Sequence, residues 1–400
     1  MIRVLCCWEL GGGYGHLFRL LPIGLELAKR GCQVTYAIRG CARGEPFLRD
    51  HAWQIVQAPL WQVPHKAHPL SQTYAQNLLR NGYWHRDSLL NQLKGWLALL
   101  ETWQPDVVLA EHAPSALLAA RKANLPRAAI GTGFSLPPLN MPMTGLQPWF
   151  TLPEQYLTKG EAEFLDCVNP ALRELGAAPL NAVADIFQGA MRLLCTLPEL
   201  DHYGARADTC YWGPVTYTPQ DLEAPWTSNR RDNIFVYLNP EHRFFSPIIG
   251  LLKEMQLPTL AFAPGLAETE RQALKTQTLS ITLRPVNLKT AATHCRLMIG
   301  HAGHNAGALM LLAGVPLFMC PSQLEQAVWA YRICAQNLGE MISYFHPNPD
   351  IKSNLASALT FPLERIGDFA QKYVHCDSSR VAQDVAEKCL TLVRKHPGSD

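Results

Sequence analysis

The chain has 400 residues, of which 48% are hydrophobic and 17% charged. That excludes a disordered chain, which needs low hydrophobicity and high net charge. Lys plus Arg number 35 against 33 Asp plus Glu, a formal charge of +2, so there is no basic surplus to mark a nucleic-acid partner. At about 100–200 residues per domain the length predicts two domains, or three.

The first elements in the chain are a βαβ unit. Ile2–Cys7 is an apolar run that reads as a buried strand, followed by the flexible loop Gly11-Gly12-Gly13-Tyr14-Gly15. A helix is predicted over about His16–Arg30, with Leu17, Leu20, Leu21, Leu25 and Ala28 on one face. Pro22 is expected in its early turns, and Gly31 caps its end. Gln33–Ile38 is the second strand. Asp106–Ala110, Pro114–Ala123 and Arg127–Gly131 read as strand, helix and strand. The aromatic-rich stretch Trp61–Trp103 and the proline-rich Phe134–Pro153 interrupt this alternation and read as inserts of the kind that form ligand walls.

A turn-rich stretch, Gly213 to Asp232, marks the boundary. The expected domains are 1–215, a linker at 216–231, and 232–400. Beyond it, strands are predicted at Ile234–Leu238, Thr259–Ala263, Ser280–Leu283, Leu297–Gly300, Pro316–Cys320 and Met341–Tyr344. Helices are predicted over about 245–256, 304–313 and 325–336, and a last helix, about Ser379–Lys395, is expected to pack outside the second sheet. Strands alternating with helices mean parallel sheets. The fold class is therefore α/β, two Rossmann-like domains facing a central cleft at the carboxyl ends of their strands.

No apolar run approaches the roughly 20 residues of a membrane span, and the N-terminus lacks the pattern of a signal peptide. Peripheral membrane association stays open. The 12 cysteines are scattered and mostly sit in apolar segments, without a CxxC pair. They suit reduced core thiols in a cytoplasmic protein and no structural zinc.

Three constellations carry chemistry. In the first, His16 starts a helix at the carboxyl edge of the first strand, where an imidazole can take a proton near neutrality. It can equally be a helix-start histidine bonded to its loop. Gly13 and Gly15 beside it let backbone approach a ligand closely. In the second, Glu111 ends an apolar strand, where a carboxylate can orient an imidazole or simply complement the dipole of the following helix. His112 beside it reads as packing. The third runs from Cys295 to Ile342. A strand ends at Gly300, and His301-Ala302-Gly303-His304-Asn305 opens a helix whose N–H groups form a phosphate site. Glu325 and Gln326, after Gly314-Val315-Pro316, are placed to bond sugar hydroxyls. Trp8, Tyr14, Trp84, Phe134 and Trp149 are candidates to line an apolar acceptor pocket, against the ordinary pull of aromatics into cores.

Together these segments resemble the family 1 glycosyltransferases of the GT-B fold, which use nucleotide sugars. The family's opening is similar to Gly15-His16, the Leu21-Pro22 helix and Lys29-Arg30-Gly31-x-x-Val34-Thr35. Its donor motif, HGGxGTxxEAL…GVP…P…DQ, is matched by His301, Gly303, Gly314-Val315-Pro316, Pro321 and Glu325-Gln326. The chain departs from it at Ala302 (second Gly), Asn305-Ala306 (the GT pair), Leu309 (the ribose-holding Glu) and Glu325 (the Asp).

The resemblance implies an inverting transferase. His16 would deprotonate an acceptor hydroxyl with Glu111 as its orienting acid. The helix start around His301–Asn305 would stabilise the departing diphosphate of a UDP- or dTDP-sugar, and His301 would donate to it, without metal or other cofactor. The acceptor would be a small molecule, lipid or peptide bearing a hydroxyl. Two other readings remain: a non-catalytic GT-B homologue that binds a ligand or partner, favoured by Ala306 and Leu309, and a sugar-nucleotide epimerase.

Overall fold

The computed structural model describes residues 1–41, 47–48, 53–63, 71–218 and 224–394. Positions 219–223 of the expected linker, 64–70 of the aromatic-rich stretch and 395–400 of the expected second domain lie outside the described residues. The chain divides into two compact units, 1–216 with 377–400, and 217–376.

The first unit is built on a six-stranded parallel sheet. Its strands are β1 (Arg3–Trp8), β2 (Gln33–Ile38), β3 (Gln54–Gln57), β4 (Val107–Glu111), β5 (Arg127–Gly131) and β6 (Met191–Leu194). Their order is β3-β2-β1-β4-β5-β6. The chain leaves β1 toward one side of the sheet and returns at β4 on the other, so the switch point lies between β1 and β4. Ligands of open α/β sheets bind at such a point, outside the carboxyl ends of the strands. The register pairs Trp8 with Glu111 there.

Helix α1 (Gly15–Lys29) follows β1 and buries Leu17, Leu20, Leu21 and Leu27. Pro22 lies inside this helix, which begins at Gly15. The aromatic-rich stretch contains real helices, α2 (Tyr74–Leu78), a short wide turn (Leu79–Tyr83) and α3 (Arg86–Trp103). Their apolar side chains, with Trp96 and Tyr83 fully covered, join α4 (Pro114–Lys122) and α5 (Glu154–Glu174) in one core. Residues 134–153 form no helix or strand.

The second unit repeats the plan. Its strands β7 (Asn233–Tyr237), β8 (Thr259–Phe262), β9 (Leu279–Thr282), β10 (Cys295–Gly300), β11 (Leu317–Met319) and β12 (Gly339–Met341) run parallel in the order β12-β11-β10-β7-β8-β9. The switch point falls between β7 and β10. Strand β12 covers 339–341 instead of the expected 341–344, because the three residues of β11 pair with Gly339, Glu340 and Met341. The helices are α6 (Phe245–Glu254), α7 (Glu268–Leu274), α8 (Leu288–His294), α9 (His304–Leu312), α10 (Leu324–Ala335), α11 (Ile351–Leu359) and α12 (Glu364–Lys372).

The last helix, α13 (Ser378–Arg394), corrects an expectation. It packs on α1 and against β4 and β5 of the first unit, not outside the second sheet. Its buried stripe, Val381, Ala382, Val385, Ala386, Cys389 and Leu390, meets the apolar side of α1. No helix among the described residues is long and apolar enough to cross a membrane. All twelve cysteines are thiols.

Candidate active site

In the first unit, the switch point between β1 and β4 holds a buried charge cluster. His16 Nδ1 lies 2.6 Å from Glu111 Oε2, and Arg19 Nη1 donates to Glu111 Oε1. Glu111 is wholly buried and His16 retains 13% of its side-chain surface. Burial alone would raise the Glu111 carboxyl, but in the acid range a protonated His16, together with Arg19, outweighs it and holds the group at about 2. The carboxylate is therefore ionised near neutrality and can only accept. Nδ1 of His16 must carry the proton, and Nε2 is the basic nitrogen.

The ring of His16 is fixed on several sides. Trp8 stacks on it at 5.4 Å between centroids. On another side Gly11, at φ +87°, comes so near that a Cβ would land 2.1 Å from Nε2. His112 lies tilted against the same ring at 5.6 Å. Burial, then the neighbouring His16, push His112 down to about 3, so it is neutral. Neither of its ring nitrogens has a hydrogen-bond partner among the described residues.

The aromatics expected to line an acceptor pocket fall in different places. Trp8 is 3% exposed and donates its indole N–H to Leu10 O at 2.7 Å. Its surface is spent on His16, so it holds the site rather than lining it. Phe134 is buried edge-on to His112. Tyr14 stands exposed just before α1, stacked on Phe18. Trp84 packs against the core beside His85 and α5. Trp149 is half-buried in the irregular segment and bonds Gln147. The structure thus gathers Trp8 and Phe134 around His16 through direct or single-residue contacts, and among the described residues it links neither Trp84 nor Trp149 to it. Gly13 lies in the exposed loop before α1, and Gly15, also exposed, is the first residue of that helix.

In the second unit, the loops after β7 and β10 meet. The Asn239 backbone N–H donates to His301 Nε2 at 2.8 Å. Burial, then the nearby His242, lower His301 to about 4. The ring is neutral with its proton on Nδ1, a buried atom that has no partner among the described residues. Ala302 follows at φ +64°, and Gly303 is the N-cap of α9 with no side chain to fill it. The first in-helix bond runs from Gly307 N–H to Gly303 O, so the N–H groups of residues 304–306 point out of the helix start. His304 is buried edge-on against Trp329, and Asn305 is buried beside it. Gly307 makes room for that indole, since a Cβ there would lie 2.3 Å from it. Glu325 sits in the first turn of α10, and Gln326 Oε1 accepts from Ser322 N–H and Oγ–H.

No protein-family model matches the chain, and no curated protein matches it by sequence. Solved structures do. The calicheamicin glycosyltransferase CalG4 is 17% identical, with a TM-score of 0.68 over 99% of this chain and 100% of its own. The glycosyltransferase VinC, in complex with dTDP, is 13% identical with a TM-score of 0.68 over 99% and 100%. SnogD from Streptomyces nogalater is 16% identical with a TM-score of 0.62 over 98% and 99%. The chain has the GT-B glycosyltransferase fold.

Within this GT-B chain, two supporting residues had escaped assignment: Arg19 is the second partner of Glu111, and Asn239 fixes the His301 ring. Trp8, expected in an acceptor wall, is a stacking platform for His16 instead. Arg19 was legible in principle, because it follows His16 at i,i+3 on one helix face. Asn239 was not, since it acts through its backbone from the loop after β7, far away in sequence.

Proposed function

We propose that the chain is an inverting glycosyltransferase that moves a sugar from a dTDP- or UDP-linked donor to an acceptor hydroxyl. The observation that carries this reading is the 2.6 Å contact of His16 Nδ1 with Glu111 Oε2 at the first switch point. An imidazole so oriented presents Nε2 as a general base, and the carboxylate stabilises the imidazolium that forms.

Nε2 takes the acceptor proton as the hydroxyl oxygen attacks the anomeric carbon. The bond to the diphosphate oxygen breaks as the new glycosidic bond forms, and its electron pair stays on the diphosphate. In this reading the growing negative charge meets the N–H groups at the start of α9 and the Nδ1–H of His301. These groups do the neutralising that a metal would otherwise do. Gly303 leaves the helix start open, as a Cβ there would meet nothing within 4 Å. The dTDP held by VinC, of the same fold, supports a dTDP-linked donor. The acceptor is a partly apolar small molecule, lipid or peptide, and exposed Tyr14 belongs to its wall.

Calorimetric or thermal-shift titration with dTDP, UDP, GDP and ADP in EDTA tests the donor half. A ligand at 100 times its Kd should stabilise by about 2.7 kcal/mol. With a binder in hand, His16→Ala should abolish transfer and leave nucleotide affinity unchanged, whereas equal loss of both removes His16 as base. Silence across all four nucleotides favours the non-catalytic reading, to which the half-buried apolar Leu309 on α9 already lends weight.

A further inference from the structure

A buried carboxylate beside a neutral imidazole has no counter-charge. Such a pair relaxes by protonating the carboxyl or the imidazole, and either event removes the base. In this protein a third group changes the balance. Arg19 is 4% exposed on α1, one turn after His16, and its Nη1 occupies Oε1 of Glu111 while His16 Nδ1 faces Oε2. Arginine is almost never buried to this degree without a partner, and its charge does not titrate in the working range.

We propose that Arg19 is a positioning residue for His16: it supplies the permanent counter-charge of Glu111, fixes Oε2 on Nδ1, and so keeps the imidazole neutral and basic at neutral pH. This rests on the reading of His16 as the base. Among the described residues, the other groups facing the cluster supply no such charge. His112, after β4, is neutral. Cys195, after β6, faces Arg19 and Glu111, and burial lifts its thiol to about 12. Cys389 of α13, coupled to Cys195, is likewise lifted to about 12 by burial. Arg39, beyond β2, acts on His112. Glu9, after β1, is held by Ser115, Tyr83 and Trp61 instead. With Arg19 the cluster is neutral before proton uptake and cationic after it; without Arg19 it is anionic before and neutral after. Removing the arginine must therefore raise the proton affinity of His16.

The test is a pH titration of histidine side-chain nitrogens by NMR on the full-length protein, without substrate. The His16 signals are assigned by their loss in His16→Ala. In the unmodified protein His16 should be neutral at pH 7 with its proton on Nδ1; an imidazolium there overturns the proposal with no further variant. Arg19→Met should raise the His16 midpoint by about one pH unit or more, and Arg19→Lys should bring it back near the original value. An unchanged midpoint in Arg19→Met, or an Arg19→Lys midpoint displaced as far as that of Arg19→Met, overturns the proposal. Should Arg19→Met not fold, Arg19→Gln, which still offers Oε1 a donor but no charge, carries the same comparison. Transfer assays are separate: absence of transfer with a normal titration defeats the proposed function and leaves the role of Arg19 on the His16–Glu111 pair standing. Where transfer is found, the acid limb of kcat/KM should move upward with the NMR midpoint.

Discussion

Two carboxylates sit at the carboxyl ends of neighbouring strands and behave oppositely. Glu9 follows β1 and Glu111 ends β4, and both are wholly or almost wholly buried. Glu9 has the more contacts. It accepts from Ser115 N–H and Oγ at 2.9 Å, from Tyr83 Oη at 3.2 Å and from Trp61 Nε1 at 3.3 Å. Burial nevertheless pushes it up to about 7. Glu111 faces His16, a cation once protonated, and the permanent cation Arg19, and is held at about 2 against the same burial. Tyr83 and Ser115 also bond each other at 2.6 Å, so their two hydroxyl hydrogens are shared among three contacts. Neutral donors offset part of the desolvation of an anion; formal cations overcome it.

The comparison can be broken most severely at Glu111. Glu111→Ala leaves Arg19 buried without its anion and should destabilise the protein by about 3–5 kcal/mol. Under the proposed function it should also lower transfer by about 10²–10⁴-fold, measured by denaturant unfolding and by product formation in any variant that folds. The pH dependence has a definite sign. The Glu111 carboxyl lies below its ordinary value in the folded state, so its stabilisation is present above that value and is lost as pH falls from about 4.5 toward 2.

Glu9 runs the other way. Its folded value is raised, so its favourable contribution is complete at low pH and is lost as pH rises through about 7. Glu9→Gln should remove that slope, and the unmodified protein should lose about 2 kcal/mol relative to it between pH 5 and 8. Parallel urea melts of the two proteins measure this, and parallel slopes would erase the contrast between the two carboxylates.

Smaller effects belong to the second unit, where His301 is kept neutral by burial as His112 is. His301→Ala should weaken nucleoside diphosphate binding by about tenfold or more, the worth of one bond to a charged acceptor, as read by calorimetry. Unchanged affinity would move the phosphate site elsewhere. Ala302→Gly should stabilise by about 0.5–1 kcal/mol, since Ala302 sits at φ +64° where only glycine is unstrained. A thermal melt suffices to check it.

Much of the frame was legible in the sequence, because buried parallel strands are short apolar runs and the helices between them keep a 3.6 period. Gln33–Ile38 and Arg127–Gly131 fall where those runs predict. Edge strands β3 and β6 did not show: β3 reads Gln-Ile-Val-Gln and β6 carries Arg192, so neither forms a long apolar run. The pairing of His16 with Glu111 could be anticipated, as both lie at the carboxyl edge of adjacent strands. The role of Trp8 could not be told from ordinary core burial, since stacking depends on which way a side chain turns, whereas the i,i+3 spacing of Arg19 from His16 placed the two on one helix face. The placement of α13 was missed because an amphipathic stripe states that a helix is covered, not by what.

That placement has a consequence in time rather than space. The first unit begins with β1 yet uses α13 to cover α1, β4 and β5. During synthesis, the apolar side of α1 emerges before its cover, which follows only after all of 217–376 has been made. At about 5–20 residues per second this interval is many seconds. The second unit, continuous in sequence, has everything it needs before the first is closed. Expression of residues 1–216 alone would leave that side of α1 open, whereas a polypeptide in which 377–394 is joined directly behind 216 would restore its cover.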